Sequence, residues 1–328
     1  MTRMFIRASL LTGVVLALAL AAPAQAQQKS YKIGYILSLD SQLGAGAKAF
    51  ADDVAKRSGG KIRIEQAPNA ALGGEVDMLK GMQQGTVDMA FITGAPLPAI
   101  VPDVGVLNIP FLFRDTAHAY AVLDGPIGKG YLEKFKAKDM MALAWGENGF
   151  RHITNSKRPV RTPDDLKGIR LRLPQSEVML AGFKAFGADV GPLPFPQVYG
   201  ALQSGQFDGQ ENPIATILSS KFAQVQKYLT LSGHVYDPAV ILVSKNVWDG
   251  LSEADKAIFL EAAKQGATAS RAYAAEAQKN GVDLLKKQGM EVVERIDRAK
   301  FTAAVQPVMP EYAKMFGAEV IAAIENTK

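Results

Sequence analysis

Residues 31–66 read YKIGYILSLDSQLGAGAKAFADDVAKRSGGKIRIEQ. YKIGYILSL, at 31–39, is an apolar, partly aromatic run of strand character, and AGAKAFADDVAKRSGG, at 45–60, has helical spacing and ends on two glycines. KIRIEQ alternates apolar and polar residues and reads as a second strand. Going outward, GEVDMLKGMQQG at 74–85 is a helix and TVDMAFIT at 86–93 a third strand. Strands that alternate with helices predict an α/β fold with a parallel sheet.

The pattern restarts after residue 160. TPDDLKG opens a helical turn with Thr162 as N-cap and Pro163 at the first position, GIRLRLP follows as a strand, and SEVMLAGFKAFG is a helix. LPFPQVYGALQSGQ leads into another helix. MQQGTVDMA (82–90) and LQSGQFDGQ (202–210) echo each other about 120 residues apart, as two similarly built lobes would. Two such lobes present their strand ends to a shared crevice, where open α/β sheets bind ligands. Beyond Ser252 the chain is helical. A long alanine-rich segment, 252–289, is expected to contain a break; MEVVERI is a short strand; and Asp297 begins a further helix interrupted near Pro307 and Pro310. From spacing alone, these helices either brace both lobes or cover one sheet.

Residues 1–26 read as an export signal: Arg3 and Arg7 precede an apolar run from Ala8 to Ala22, and Ala24-Gln25-Ala26 offers a cleavage site. The 37 basic and 32 acidic residues give a net charge of +5, which falls to +3 without the two signal arginines. No basic block accompanies this mild charge, which argues against nucleic acid as a partner. Cysteine is absent, so neither a disulfide framework nor thiol chemistry is available. His118, His152 and His234 lie at no metal-ligand spacing and read as structural or solvent-facing. There is no G-x-S-x-G elbow, H-E-x-x-H pair or phosphate-binding loop, and no metal or cofactor is implied. GAGAKA, at 44–49, fits the dinucleotide fingerprint with Glu65 about 20 residues on, but Ser38 to Leu43 separate its glycines from the strand end that the fingerprint requires.

GIRLRLP places Arg170 and Arg172 on one face of a short strand. Either both arginines point into water, or the face lines a cleft and one of them waits for an anion to grip with paired hydrogen bonds.

ALGGE (71–75), GTVDMA, NIPFLF (108–113), GFRHITNSKRPVRTPDDLKGIRLRLP (149–174), GALQSGQFDGQENP (200–213) and KYLTLSGHVYDPA (227–239) occur in that order. Together they resemble the extracytoplasmic solute receptors of the tripartite ATP-independent periplasmic (TRAP) transporters, the DctP type, over essentially the whole mature chain. The resemblance implies a two-lobed, type II-like periplasmic-binding-protein fold with long C-terminal helices bracing both lobes. Lobe I would hold 27–149 plus about 238–277, and lobe II 150–237 plus about 278–328. It further implies a periplasmic receptor, not an enzyme, that closes on an organic acid and delivers it to a membrane permease. By the same resemblance Arg172 pairs with the ligand carboxylate, Arg151 assists and Asn212 donates a further hydrogen bond, while Arg170 stays structural or solvated. Glu75, Thr93, Trp145, Gln175 and Phe195 sit where family members often place ligand-facing groups, against ordinary readings as cap, core or turn. Thr93 and Pro96 stand where receptors for polyhydroxylated sialic acids carry charge, and Gln197 stands where a glutamate often precedes the Val-Tyr pair, which favours a smaller or partly aromatic acid over a heavily hydroxylated one. C4-dicarboxylates, sugar acids and 2-oxo or aromatic monocarboxylates all remain open. A receptor for an ATP-driven importer and an exported enzyme are the alternatives, and a monomer is expected, with a dimer as the other state.

Overall fold

The computed structural model describes residues 28–328; the export signal expected over 1–26 lies outside the described residues. Strands β1 (Lys29–Gly34), β2 (Ile62–Ala67) and β3 (Met89–Thr93) alternate with helices α1 (Gln42–Arg57) and α2 (Glu75–Gln83), so the opening β-α-β-α-β reading holds. Helices α3 (Thr116–Asp124) and α4 (Pro126–Lys134) then lead into the 16-residue strand β4 (Met140–Asn155). The second half contributes β5 (Arg170–Leu173), α5 (Glu177–Ala185), β6 (Asp189–Pro192), α6 (Val198–Gln203), β7 (Gly209–Pro213), α7 (Ile214–Ser219) and β8 (Tyr228–Thr230). After them come β9 (Tyr236–Ser244), α8 (Lys245–Asp249), α9 (Glu253–Lys287), β10 (Glu291–Val293), α10 (Arg298–Val305), α11 (Met309–Phe316) and α12 (Ala318–Glu325).

The strand order is β2-β1-β3-β9-β4-β7-β5-β6, with β8 also paired to β4 and β10 paired to β8. Met140 to Phe150 of β4 pair with β9 in lobe I, whereas Arg151 to Asn155 pair with β7 and β8 in lobe II. A single strand therefore carries the sheet from one lobe to the other. The register slips between Glu147 and Gly149, and Gly149 adopts φ +122°, a conformation open to glycine and few others.

Helix α9 spans both lobes. Its 35 residues make a rod about 52 Å long. No break interrupts it, contrary to expectation, because its glycines lie in close contacts that a side chain would obstruct. A β-carbon on Gly266 would lie 2.9 Å from the Gly46 carbonyl of α1, and one on Gly281 would lie 2.4 Å from Ile214 of α7. Packing at this separation outweighs the roughly 1 kcal/mol by which glycine disfavours a helix. The same crossing explains GAGAKA: both glycines sit inside α1, whose first residue is Gln42, and Gly46 makes room for α9 and Phe91.

The tail divides differently from the expected boundary. Phe301 of α10 packs with Phe186 of lobe II at 5.1 Å, but α12 returns to lobe I, where Ile324 O meets His118 Nε2 at 2.8 Å and Arg114 donates to Glu325 O and Thr327 O. Phe316 of α11 also lies against Gly105 of lobe I. The last helices thus clasp both lobes. Among the described residues, no helix is long and apolar enough to cross a membrane.

Candidate ligand-binding cleft

Arg172 is positioned by sheet register. It pairs with Gln210 across β5 and β7, and Asn212 lies two residues further along β7, so all three share a face. The side chain is 2% exposed; its Nε and Nη2 both reach Leu193 O, at 2.8 and 2.5 Å. Among the described residues no carboxylate pairs with this guanidinium and Nη1 has no hydrogen-bond partner. Burial pulls its pKa down to about 9, against the attraction of the more distant Glu211. Asn212 is buried and donates to Gln210 Oε1 at 2.5 Å, which leaves its second N–H unused. Arg170, on the same face but at the exposed end, donates to Asp208 and Gly205 O, and Asp208 is held at about 2 by those hydrogen bonds. The strand thus carries one solvated ion pair and one buried, uncompensated cation.

Arg151, unlike Arg172, meets carboxylates of its own chain. Its Nε and Nη2 donate to Glu211 Oε2 and Oε1 at 2.5 and 2.8 Å, Nη2 also donates to Glu211 O, and Nη1 donates to Asp237 Oδ2 at 2.6 Å. Burial opposes its charge, but Glu211 and Asp237 more than offset that and raise its pKa. His234 caps the cluster, bonding Glu211 Oε2 at 3.0 Å, and burial lowers its pKa. Burial pushes Asp237 up, against the pull of Arg151 and Asn148. The network continues through Asn148 to Gln42 of α1 and on to Thr216 of α7, joining the lobes at the point where β4 crosses. Arg151 is therefore charge-compensated within the protein, with one Nη1 hydrogen left over.

Lobe I supplies Glu75, the first residue of α2. Its Oε1 accepts the Thr93 N–H at 2.7 Å, and burial raises its pKa to about 7. Glu75 lies close enough to Arg172 and Arg151 for their charges to act on one another. The lobes nearly meet here, since a β-carbon on Gly74 would lie 3.9 Å from Pro194. Thr93 is buried at the end of β3, and Phe195 is half-buried beside Pro194, its ring 6.2 Å from Phe222.

Trp145 stands apart. The Trp145 indole is buried in lobe I and donates to Gly128 O of α4, so it takes the core reading. Gln175 is exposed and lines a largely apolar cavity of about 530 Å³ with Pro98, Pro194 and Phe316, between the lobes. Gln197 is exposed as well, and Pro96 is buried ahead of a helical turn, so neither marks the polarity of the cleft. All three histidines are bonded within the protein: His118 to Ile324 O and the Arg114 N–H, His152 to the Gly233 N–H and Gln278, His234 to Ser232 and Glu211.

Residues 33–315 match the family of bacterial extracellular solute-binding proteins, family 7, known as DctP. The chain belongs to the DctP family. It is an extracytoplasmic solute receptor, and its relatives show the breadth of the group. A TRAP periplasmic solute-binding protein from Polaromonas sp JS666, solved bound to D-erythronate, is 48% identical, with 92% of this chain and 99% of that one covered and a TM-score of 0.91. Another from Bordetella bronchispeptica, with density assigned to pantoate, is also 48% identical, covers 92% and 100%, and superposes with a TM-score of 0.90. The 2,3-diketo-L-gulonate-binding periplasmic protein YiaO of Escherichia coli is 37% identical over 277 residues, 84% of either chain. The receptor shares their two-lobed architecture.

Glu211 and Asp237 were not singled out by sequence reading. A charged residue inside YDPAVILVS, where every position is buried, is itself a signal, because a buried carboxylate requires a partner.

Proposed function

We propose that the receptor binds a hydroxylated monocarboxylate of the sugar-acid class, carboxylate on Arg172 and hydroxyls on Asn212 and Glu75. One observation carries this reading: Arg172 is buried without a counter-ion, whereas Arg151 is already neutralised by two carboxylates. A desolvated guanidinium is costly until an anion joins it, so binding and lobe closure become one event. One unpaired cation calls for one carboxylate; the second carboxylate of a dicarboxylate would meet Glu75 and Asp237. Hydroxylated monocarboxylates are also what the relatives named above are reported to bind or are named for, and their likeness supports the same class here. The ligand leaves unchanged. Release is to a TRAP permease, and the receptor acts as a periplasmic monomer exported by residues 1–26.

Thermal unfolding of residues 27–328 tests this with D-erythronate, its amide and succinate. A ligand at 100 times its dissociation constant adds about 2.7 kcal/mol, or several degrees. D-erythronate should give that shift and the amide none, with succinate well below. Stabilisation by succinate or the amide equal to that by D-erythronate would defeat the reading.

A further inference from the structure

The carboxylate of Asp237 is used on one side only. Oδ2 accepts from Asn148 Nδ2 at 2.7 Å and Arg151 Nη1 at 2.6 Å, whereas Oδ1 is fully buried and has no partner. Buried carboxylate oxygens are rarely left so, since each unmade hydrogen bond forfeits the water it gave up. What lies over Oδ1 is the backbone of Gly94, directly after Thr93 in the strand-end turn that also presents its N–H to Glu75. A β-carbon at position 94 would lie 2.7 Å from Oδ1, so glycine is what keeps a side chain from pressing on that oxygen. Asp237 is also near enough to Glu75 for its charge to act there.

We propose that Asp237 is a specificity-determining residue whose Oδ1 accepts a hydroxyl of the bound acid, at a point separate from Glu75. This rests on the hydroxy-acid reading above. The geometry has its own logic. Arg151 and Asn148 fix the orientation of the carboxylate from the Oδ2 side, so the unpartnered oxygen is a pre-oriented acceptor that the Gly94 turn must uncover when the ligand arrives. A hydroxyl donates one hydrogen and satisfies it, and an acid lacking that hydroxyl leaves it orphaned. Discrimination by hydroxyl position follows.

Titration calorimetry with D-erythronate and its three mono-deoxy analogues tests the assignment on wild type, Asp237→Asn and Gly94→Ala. In Asp237→Asn the amide oxygen must face Arg151 and Asn148, which puts an NH2 where the acceptor was. Wild type should lose about tenfold or more for one particular deoxy analogue. That penalty should shrink about five- to tenfold in Asp237→Asn, while those for the other hydroxyls persist. Gly94→Ala, which keeps the carboxylate and puts a methyl against Oδ1, should lose the same hydroxyl and serves if the first variant does not fold. Equal weakening of all four acids by the variants would overturn the assignment and leave Asp237 as a counter-ion of Arg151. Failure of wild type to bind any of the four would instead overturn the hydroxy-acid reading.

Discussion

Two arginines of one cleft, both 2% exposed, make opposite demands on the fold. Arg151 completes a charge cluster, so Arg151→Ala strands Glu211 and Asp237 in the interior and should destabilise the ligand-free protein by about 3–5 kcal/mol. Arg172 is itself the stranded charge. Arg172→Ala should leave ligand-free stability unchanged or higher, while weakening binding of the cognate acid by about 2–5 kcal/mol, roughly 30- to several-thousand-fold. Urea unfolding and calorimetry on both variants check this pair, and equal destabilisation by the two would refute it. The alternation of GIRLRLP placed Arg170 and Arg172 on one face but could not separate them. What separates them is position along β5: Arg170 reaches solvent and Asp208 at the strand's start, whereas Arg172 is covered by the chain at Leu193.

At the scale of elements, glycines in helices divide by what surrounds them. On α1 a β-carbon at Gly46 would lie 2.5 Å from the Phe91 ring and 2.9 Å from the Gly266 carbonyl, so Gly46→Ala should cost about 1–3 kcal/mol of overpacking. Gly130, in the exposed face of α4, has nothing within 4 Å, and Gly130→Ala should instead add up to about 1 kcal/mol through helix propensity. Thermal unfolding of the two variants should move in opposite directions; a shared sign would contradict the close-crossing account of α1 and α9. The two glycines look alike in a helical sequence. Only the neighbour across the crossing distinguishes them, which is also why α9 runs unbroken where sequence alone suggests a stop.

For the whole molecule, pH dependence sums groups from both lobes. Burial raises Glu75 and Glu147 to about 7, so in the folded state they hold protons above the usual carboxylate range; their contribution to stability is full below about pH 4.5 and lost as pH rises through 7. Burial lowers His152 to about 4 and also lowers His234, and their contribution runs the other way, present above about pH 6.5 and lost on acidification. The two pairs act in opposite directions between about pH 4.5 and 6.5, so wild-type stability should change less there than either pair alone would make it. Glu147, which accepts from Tyr120 in lobe I away from Arg172, is the group to remove. Glu147→Gln should tilt the profile so that stability increases with pH, by up to about 1.4 kcal/mol per unit. Urea unfolding across that range checks it, and an unchanged slope would mean Glu147 is not protonated in the folded state.

Sequence alone determined the alternating α/β build, the absence of thiol chemistry, the family motifs in order and the candidacy of Arg172, Asn212 and Glu75, because periodicity, composition and short motifs are local properties of the chain. Tertiary structure decided the rest. Whether an arginine is neutralised or waiting, whether a tryptophan faces a cleft or a core, which lobe the final helix joins and which oxygen of Asp237 is left free all depend on residues brought together across 17 to 211 positions. Such partners are set by sheet register and helix crossings, and charge compensation exists only once they meet.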